Sequence, residues 1–350
     1  MKLIDLMTQY TKNPLGLEDS HPVFSWRWEV DGGEVSRFQS AWRIQAAGSL
    51  EALERGEADA WDSGKVPGER PFGMRYGGRR PESRERIYWR VTAWDDCGQQ
   101  TDWSEAAWFE MGLLEETDWE ARWIGRHKEE DATPLFRKSF HVKEGEIKKA
   151  RLYGCGLGLA DVFLNGEKTD RDYYEPWDSD YRKTVYYKTW NLDGKLCPGE
   201  NVLGFWLGNG QYRNYEEVCT LPARYQKTDG WREKDSGFYG DAKGIFQLEI
   251  WYGDGSVQRI VTDESWQYAA GPLVFSNWYG GEDYDGRLEI DSWCEPGCSY
   301  GNWQHAVEKQ PPAGRLTARN TPPIGIVEEL VPIAVWQIGS GRYIVDMGKN

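Results

Sequence analysis

The chain has 350 residues, enough for two or three domains that each bury a core. Lys plus Arg number 42 against 57 Asp plus Glu, a net charge of −15, which argues against a nucleic acid or an anionic membrane as partner, because either needs a basic face. A hydrophobic content of 39% with 28% charged residues suits neither a disordered chain nor a membrane-embedded one, and no apolar run reaches the length needed to span a bilayer.

The opening MKLIDLMTQYTKNPLG contains no apolar stretch leading to a small-residue cleavage site, so the expectation is no export signal and a cytoplasmic location. Alternating large and polar side chains predict strands over 22–30, 37–47, 86–95 and 105–111. Helical periodicity is confined to SLEALERG, with Ser49 as N-cap, Leu50 and Leu53 on one face and Gly56 as the stop. A second helical turn is expected from Thr117 or Asp118. Trp26 early and Tyr88-Trp89-Arg90-Val91 late in this region resemble a fibronectin III or immunoglobulin-like sandwich, with Tyr88 where such folds place a corner tyrosine. Trp26, Trp42, Trp89 and Trp94 read as core and flank residues. Beyond Gly112, LADVFLNGEKT sets Asn165-Gly166 after an apolar run, a tight-turn signal. TVYYKTWNL, ENVLGFWLGN and a hairpin around Asp254-Gly255 follow. The whole reads as all-β. An Ig-like sandwich over 1–112 is followed by a second antiparallel sandwich over 113–314. Residues 315–350 form a linker and the first strands of a further β domain.

The six cysteines (Cys97, Cys155, Cys197, Cys219, Cys294, Cys298) form no C-x-x-C pair, and the four histidines are scattered, which speaks against a zinc site. Cys294 and Cys298 could bridge only in an oxidising compartment, so free thiols are expected.

Nucleophile and phosphate-loop signatures are missing from the sequence. Gly154-Cys155-Gly156-Leu157-Gly158 lacks the rest of a dinucleotide fingerprint and reads as small residues where strands pack closely. Carboxylates remain. Two acidic, aromatic-rich clusters stand out: Glu175 to Tyr181, and Glu282-Asp283-Tyr284-Asp285 with Arg287. Sugar recognition uses carboxylates and amides that bond pairs of hydroxyls and flat rings that stack on C–H faces. Hard oxygen ligands can also hold calcium, although neither cluster fits the twelve-residue calcium loop. A general acid and base cannot be picked out, because acids are abundant and none has a diagnostic spacing. The candidate carbohydrate or calcium site is Trp177, Asp178, Asp180, Asn209 and Tyr212; the plainer reading is that Asp178 and Asp180 brace a turn. Glu282, Asp283, Asp285 and Arg287 either face a substrate pocket or make an interdomain ion pair.

A set of short motifs, in order, resembles a known family. These are Asn13-Pro14-Leu15-Gly16 with Pro22 to Trp26, Trp61 to Val66, and Tyr88 to Val91 with Trp103-Ser104. Phe109 to Leu114 and Trp119 to Gly125 follow, then Leu164-Asn165-Gly166, Pro176 to Tyr181, Gly199-Glu200-Asn201, Leu207 to Gly210, and Gly281 to Arg287. Together they resemble the N-terminal region of bacterial α-L-rhamnosidases, glycoside hydrolase family 78. Gln211, Gly286 and Lys349 depart from that pattern, and 213–240 looks long and individual. The resemblance implies that the second sandwich, 113–314, is a jelly-roll, carbohydrate-binding-like module, and that the parent enzyme removes terminal α-L-rhamnose with inversion. Inversion needs two carboxyl groups roughly 6.5–9.5 Å apart, and in the family these lie in a downstream α-helical barrel. It implies a rhamnose-containing glycan and that downstream catalytic domain as partners, a second copy of the chain as a further one, and no catalytic residue within these 350. The competing readings are a free-standing lectin-like module and a structural or dimerisation module.

Overall fold

The computed structural model describes residues 2–29, 38–128, 132–213, 239–277, 281–298 and 301–349. The first sandwich opposes two sheets. One orders the strands Lys2–Thr8, Val23–Glu29 and Phe72–Arg75. The other runs Leu15–Leu17, Ala107–Met111, Arg86–Asp95, Gln39–Ala47 and Trp61–Asp62. Alternation explains the pairing: Phe24, Ile44, Trp89, Val91 and Phe109 all turn inward and are fully buried. Phe24 stacks on Trp89 at 4.2 Å. Trp26 is buried and Trp42 packs partly against the same core, whereas Trp94 lies on the flank beneath the Lys65 ammonium. Tyr88 packs on the short helix rather than in the core. The buried tyrosine here is Tyr76, whose hydroxyl donates to the Ala60 carbonyl.

The helix spans Leu50–Glu54, and the Ser49 hydroxyl accepts the Ala52 N–H as the sequence predicts. The second helical turn is a 3-10 turn, Glu116–Asp118, one residue earlier than expected. Asn165 and Gly166 both take positive φ, 51° and 87°, the geometry of a mirror-image hairpin turn.

The second sandwich opposes a seven-stranded and a six-stranded sheet. Its centre is the antiparallel pair Ile147–Leu157 and Lys243–Tyr252 facing Pro134–Val142 and Gly199–Gly208. Phe136 stacks on Phe205 at 4.6 Å and Phe205 on Phe246 at 4.5 Å, with Trp266 fully buried beside them. The glycines of the 154–158 run serve close packing, as read from the sequence. A Cβ on Gly154 would meet the Phe246 ring at 2.1 Å, and one on Gly156 the Ala160 side chain at 2.4 Å. The sequence reading missed Lys2–Thr8, Pro134–Val142 and the beginning of Ile147–Leu157, where charged residues interrupt the alternation.

Two observations concern the stretch from Arg315 onward. Arg315–Ala318, expected at the head of a linker, pairs in parallel with Thr184–Asn191 and so extends the second sandwich. Two strands do follow, Ala334–Gly339 and Arg342–Asp346, as an isolated hairpin.

The sandwiches meet across buried ion pairs. Arg151 and Glu110, each 1% exposed, are joined at 2.7 Å, with Arg86 also on Glu110 at 2.8 Å. Arg84 of the first sandwich reaches Glu249, fully buried on the second, at 2.6 Å, and Asp118 of the connecting turn at 2.6 Å. The Tyr187 hydroxyl receives the Leu113 N–H at 2.8 Å. These groups compensate one another's lost hydration, so the seam is closed by charge as well as by apolar packing. Among the described residues no helix is long and apolar enough to cross a membrane.

Candidate functional site

The loop between Glu167–Lys168 and Thr184–Asn191 carries Trp177, Asp178 and Asp180 of the residues that the sequence singled out. Asp178 Oδ1 accepts the Tyr181 hydroxyl at 3.0 Å. Burial pushes the Asp178 carboxyl above its usual range, against the opposing pull of that hydrogen bond. Tyr181 is buried and meets Tyr212 edge-on at 5.2 Å and Tyr239 at 5.0 Å. Burial raises the phenols of Tyr181 and Tyr212, the latter to about 12. Both rings stay neutral near pH 7. Trp177 is half-buried, and its indole N–H finds no hydrogen-bond partner among the described residues.

Asp180 does something else. Its carbonyl accepts the N–H groups of Lys183 and Thr184, and its carboxylate takes the Arg182 guanidinium at 2.9 Å, which holds its pKa down. It braces a turn. Asn209 is buried, and its carboxamide donates to the Ser276 carbonyl at 2.8 Å. The structure therefore brings Asp178 and Tyr212 together through Tyr181, and leaves Asp180 and Asn209 as scaffolding around them.

The second group sits on the hairpin Leu273–Asn277 and Gly281–Tyr284. Glu282 and Asp283 are exposed. Asp285 caps the 3-10 turn Gly286–Leu288, and its carboxylate pairs with Arg287 through two bonds of 2.8 and 2.5 Å. That pair is local, two residues apart, and not interdomain. Its guanidinium keeps the Asp285 carboxyl down at about 2. Ser276, whose carbonyl Asn209 holds, is the register partner of Glu282. One buried amide thus anchors the acidic hairpin beside the Tyr212 loop.

Sequence reading missed a buried charge cluster behind the loop. Lys188 reaches Asp170 at 2.6 Å and also Asp172, while Arg319 pairs with Glu175. Burial raises the Glu175 carboxyl, and its Oε2 has no partner among the described residues. Lys188 gave no signal because a lysine in a strand ordinarily reads as solvent-facing.

Calcium does not fit this arrangement. Asp178 and Asp180 are turned to separate donors, and neither belongs to a close group of three His, Cys, Asp or Glu ligand atoms among the described residues. Asp95, Asp96 and Cys97, on a turn of the first sandwich, form such a group. Cys294 and Cys298 are both free thiols, and Cys294 is buried. Most of 213–240, and with it Cys219, lies outside the described residues.

Comparisons with known proteins point one way. A family model described as the α-L-rhamnosidase N-terminal domain matches residues 145–328, and one described as the Rha78A-like N-terminal immunoglobulin domain matches 3–115. An α-L-rhamnosidase of Formosa agariphila is 33% identical over 97% of this chain and 37% of its own length. One of Alteromonas sp. is 31% identical over 97% and 36%. The chain thus spans a little over a third of these curated relatives. Among solved structures, an α-L-rhamnosidase from Dictyoglumus thermophilum superposes with a TM-score of 0.85 at 32% identity, over all of this chain and 39% of that one. The Streptomyces avermitilis enzyme, solved with L-rhamnose, shares the fold at TM-score 0.83 and 20% identity, over all of this chain and 49% of that one. With its larger sandwich matched over more than half the chain, the protein belongs to the α-L-rhamnosidase N-terminal domain family.

Proposed function

We propose that this chain is the N-terminal, non-catalytic β-portion of an α-L-rhamnosidase-like glycoside hydrolase. Its parent reaction is the inverting hydrolysis of terminal α-L-rhamnose. The observation that carries this reading is the match to rhamnosidases across both sandwiches, in order, over only about a third of their length. The hairpin at 334–346 supports it. Val335, Trp336, Ile344 and Val345 alternate between its two faces, yet all are 40–59% exposed. An apolar surface of that kind calls for a cover, and the part of the relatives beyond the matched third is the cover we assign.

The second sandwich, read as a jelly roll, contributes glycan contact at the Trp177, Asp178 and Tyr212 loops, with Glu282 and Asp283 on the adjoining hairpin turned toward substrate. Half-buried and buried aromatic rings beside neutral or ionised oxygen acceptors are the groups that grip sugar faces and hydroxyls. The cytoplasm remains our proposed compartment, in keeping with free Cys294 and Cys298.

The test is release of nitrophenol from 4-nitrophenyl α-L-rhamnoside. The intact gene product is expected to hydrolyse it with inversion, read from the anomeric proton signals. The 350-residue chain alone is expected to release none. Turnover by the purified chain overturns the reading. An intact gene product that binds rhamnosides without hydrolysing them favours a lectin-like module instead.

A further inference from the structure

A groove of about 650 Å³ runs along the first sandwich, far in sequence from the loops above. One wall is the outer edge of the strand Lys2–Thr8, which among the described residues pairs only with Val23–Glu29 on its other side. The opposite wall is the segment 102–107 leading into Ala107–Met111. Leu3 and Leu6, both buried, form part of its apolar lining.

Three observations define what this groove would hold. The first is Trp103, half-buried and lining the groove. Its ring is fixed by the Arg90 guanidinium at 4.6 Å and that of Arg43 at 5.9 Å. Those cations are themselves anchored, Arg90 to the Gln45 carboxamide at 2.9 Å and Arg43 to Asp62 at 2.9 and 2.6 Å. A flat apolar ring held in one orientation loses little entropy when a ligand stacks on it. The second is Asn13, whose Oδ1 accepts the Trp108 N–H at 2.9 Å. With the oxygen engaged, the fixed carboxamide presents its NH₂ donors. The third is charge. Four acids and two lysines line the groove, so both acceptors and donors are present and the balance is negative.

Other ligand classes fit less well. An anionic polymer meets a net negative wall. An extended peptide that adds to the sheet edge meets a bulge: Asp5 has φ 52° and the ladder shifts register between Ile4 and Met7. Bulges and edge charges of this kind block strand addition. A neutral polyhydroxylated chain needs a stacking ring, mixed donors and acceptors, and a volume of this order.

We infer that the first sandwich carries a second glycan-binding groove, centred on Trp103 and Asn13, for a neutral oligosaccharide. The inference deepens the glycan-binding reading above and rests on it for its ligand class. The groove would grip sugar units beyond a terminal residue held elsewhere.

The test is calorimetric titration of the whole chain with a neutral trisaccharide ending in α-L-rhamnose, and with maltotriose as a rhamnose-free probe. Trp103→Ala is expected to weaken binding of the rhamnosyl probe at least fivefold, whereas Trp103→Phe, which keeps a ring, stays within twofold. Asp102→Arg, at an exposed position where folding is not at stake, places a bulky side chain at the groove mouth and is expected to cause the same loss. Trp177→Ala is expected to leave this component in place. Binding that survives both Trp103→Ala and Asp102→Arg but disappears in Trp177→Ala overturns the groove and keeps the earlier reading. Heat that depends on Trp103 with maltotriose alone keeps the groove and overturns rhamnose as its ligand. No heat with either probe overturns both.

Discussion

At Asp178 two opposed effects meet. Burial disfavours its charge, while the Tyr181 hydroxyl supports it, and burial wins. The folded-state pKa therefore lies above the unfolded value of 3.8. Such an acid favours the fold most when protonated, and that contribution is lost as pH rises through the folded pKa. Asp178→Asn keeps an acceptor for Tyr181 and removes the charge. It is expected to raise the melting temperature at pH 7 and to leave it unchanged below pH 3.8, as thermal melts at both pH values will show. Asp118 behaves in the opposite sense. Burial pushes its carboxyl up, but bonds from Ser83 and Arg84 outweigh burial and hold it below 3.8. Its stabilisation is present above that pH and fades as pH falls further, so Asp118→Asn should flatten the acid limb of a stability profile. Gly154 is a steric case. Gly154→Ala places a methyl 2.1 Å from the Phe246 ring, and overpacking of this kind costs about 1–3 kcal/mol in urea unfolding.

Among elements, the segment from Arg315 to Ile324 behaves as a strap across both sandwiches. Arg315–Ala318 adds a parallel strand to the second, Glu18 of the first accepts the Ala318 N–H at 2.9 Å, and Tyr173 bonds the Ile324 carbonyl at 2.9 Å. Arg319 fastens the middle on Glu175. Arg319→Ala leaves a buried carboxylate without its main partner. Hydrogen exchange at 315–318 is expected to speed up at least tenfold, while exchange in the strand Lys243–Tyr252 stays unchanged. The elements themselves were largely legible. Strands with clean alternation, the Ser49-capped helix and the Asn165-Gly166 turn follow from local chemistry, and the structure places them within two residues of expectation. Pro134–Val142 was not legible, because Arg137 and Lys138 sit inside it. Arg137 is buried, with its guanidinium 5.4 Å from the Trp303 ring, a partner 166 positions away that no local pattern announces.

For the whole molecule the ion pairs at the seam matter most. Arg84 and Glu249 lie 165 residues apart, and Glu110 and Arg151 are 41 apart. Removing one partner leaves a buried charge exposed to no solvent, at a cost of about 3 kcal/mol. The wild-type chain is expected to melt in one calorimetric transition. Arg84→Ala combined with Glu110→Ala is expected to separate the two sandwiches into two transitions. Two transitions in the wild type would show that the seam does not couple them.

What the sequence by itself determined is the β class, the two-sandwich order and the family, because alternation, turn residues and short motifs in order are local signals. Which donor each acid faces was decided only in three dimensions. Asp178 and Asp180 are two residues apart and chemically alike, yet the carboxylate of one accepts from the hydroxyl of the buried Tyr181 and that of the other from the Arg182 guanidinium. The identity of the facing group sets a carboxyl's role, and Tyr181 is held in place by Tyr212 and Tyr239, which the fold brings to it over long separations.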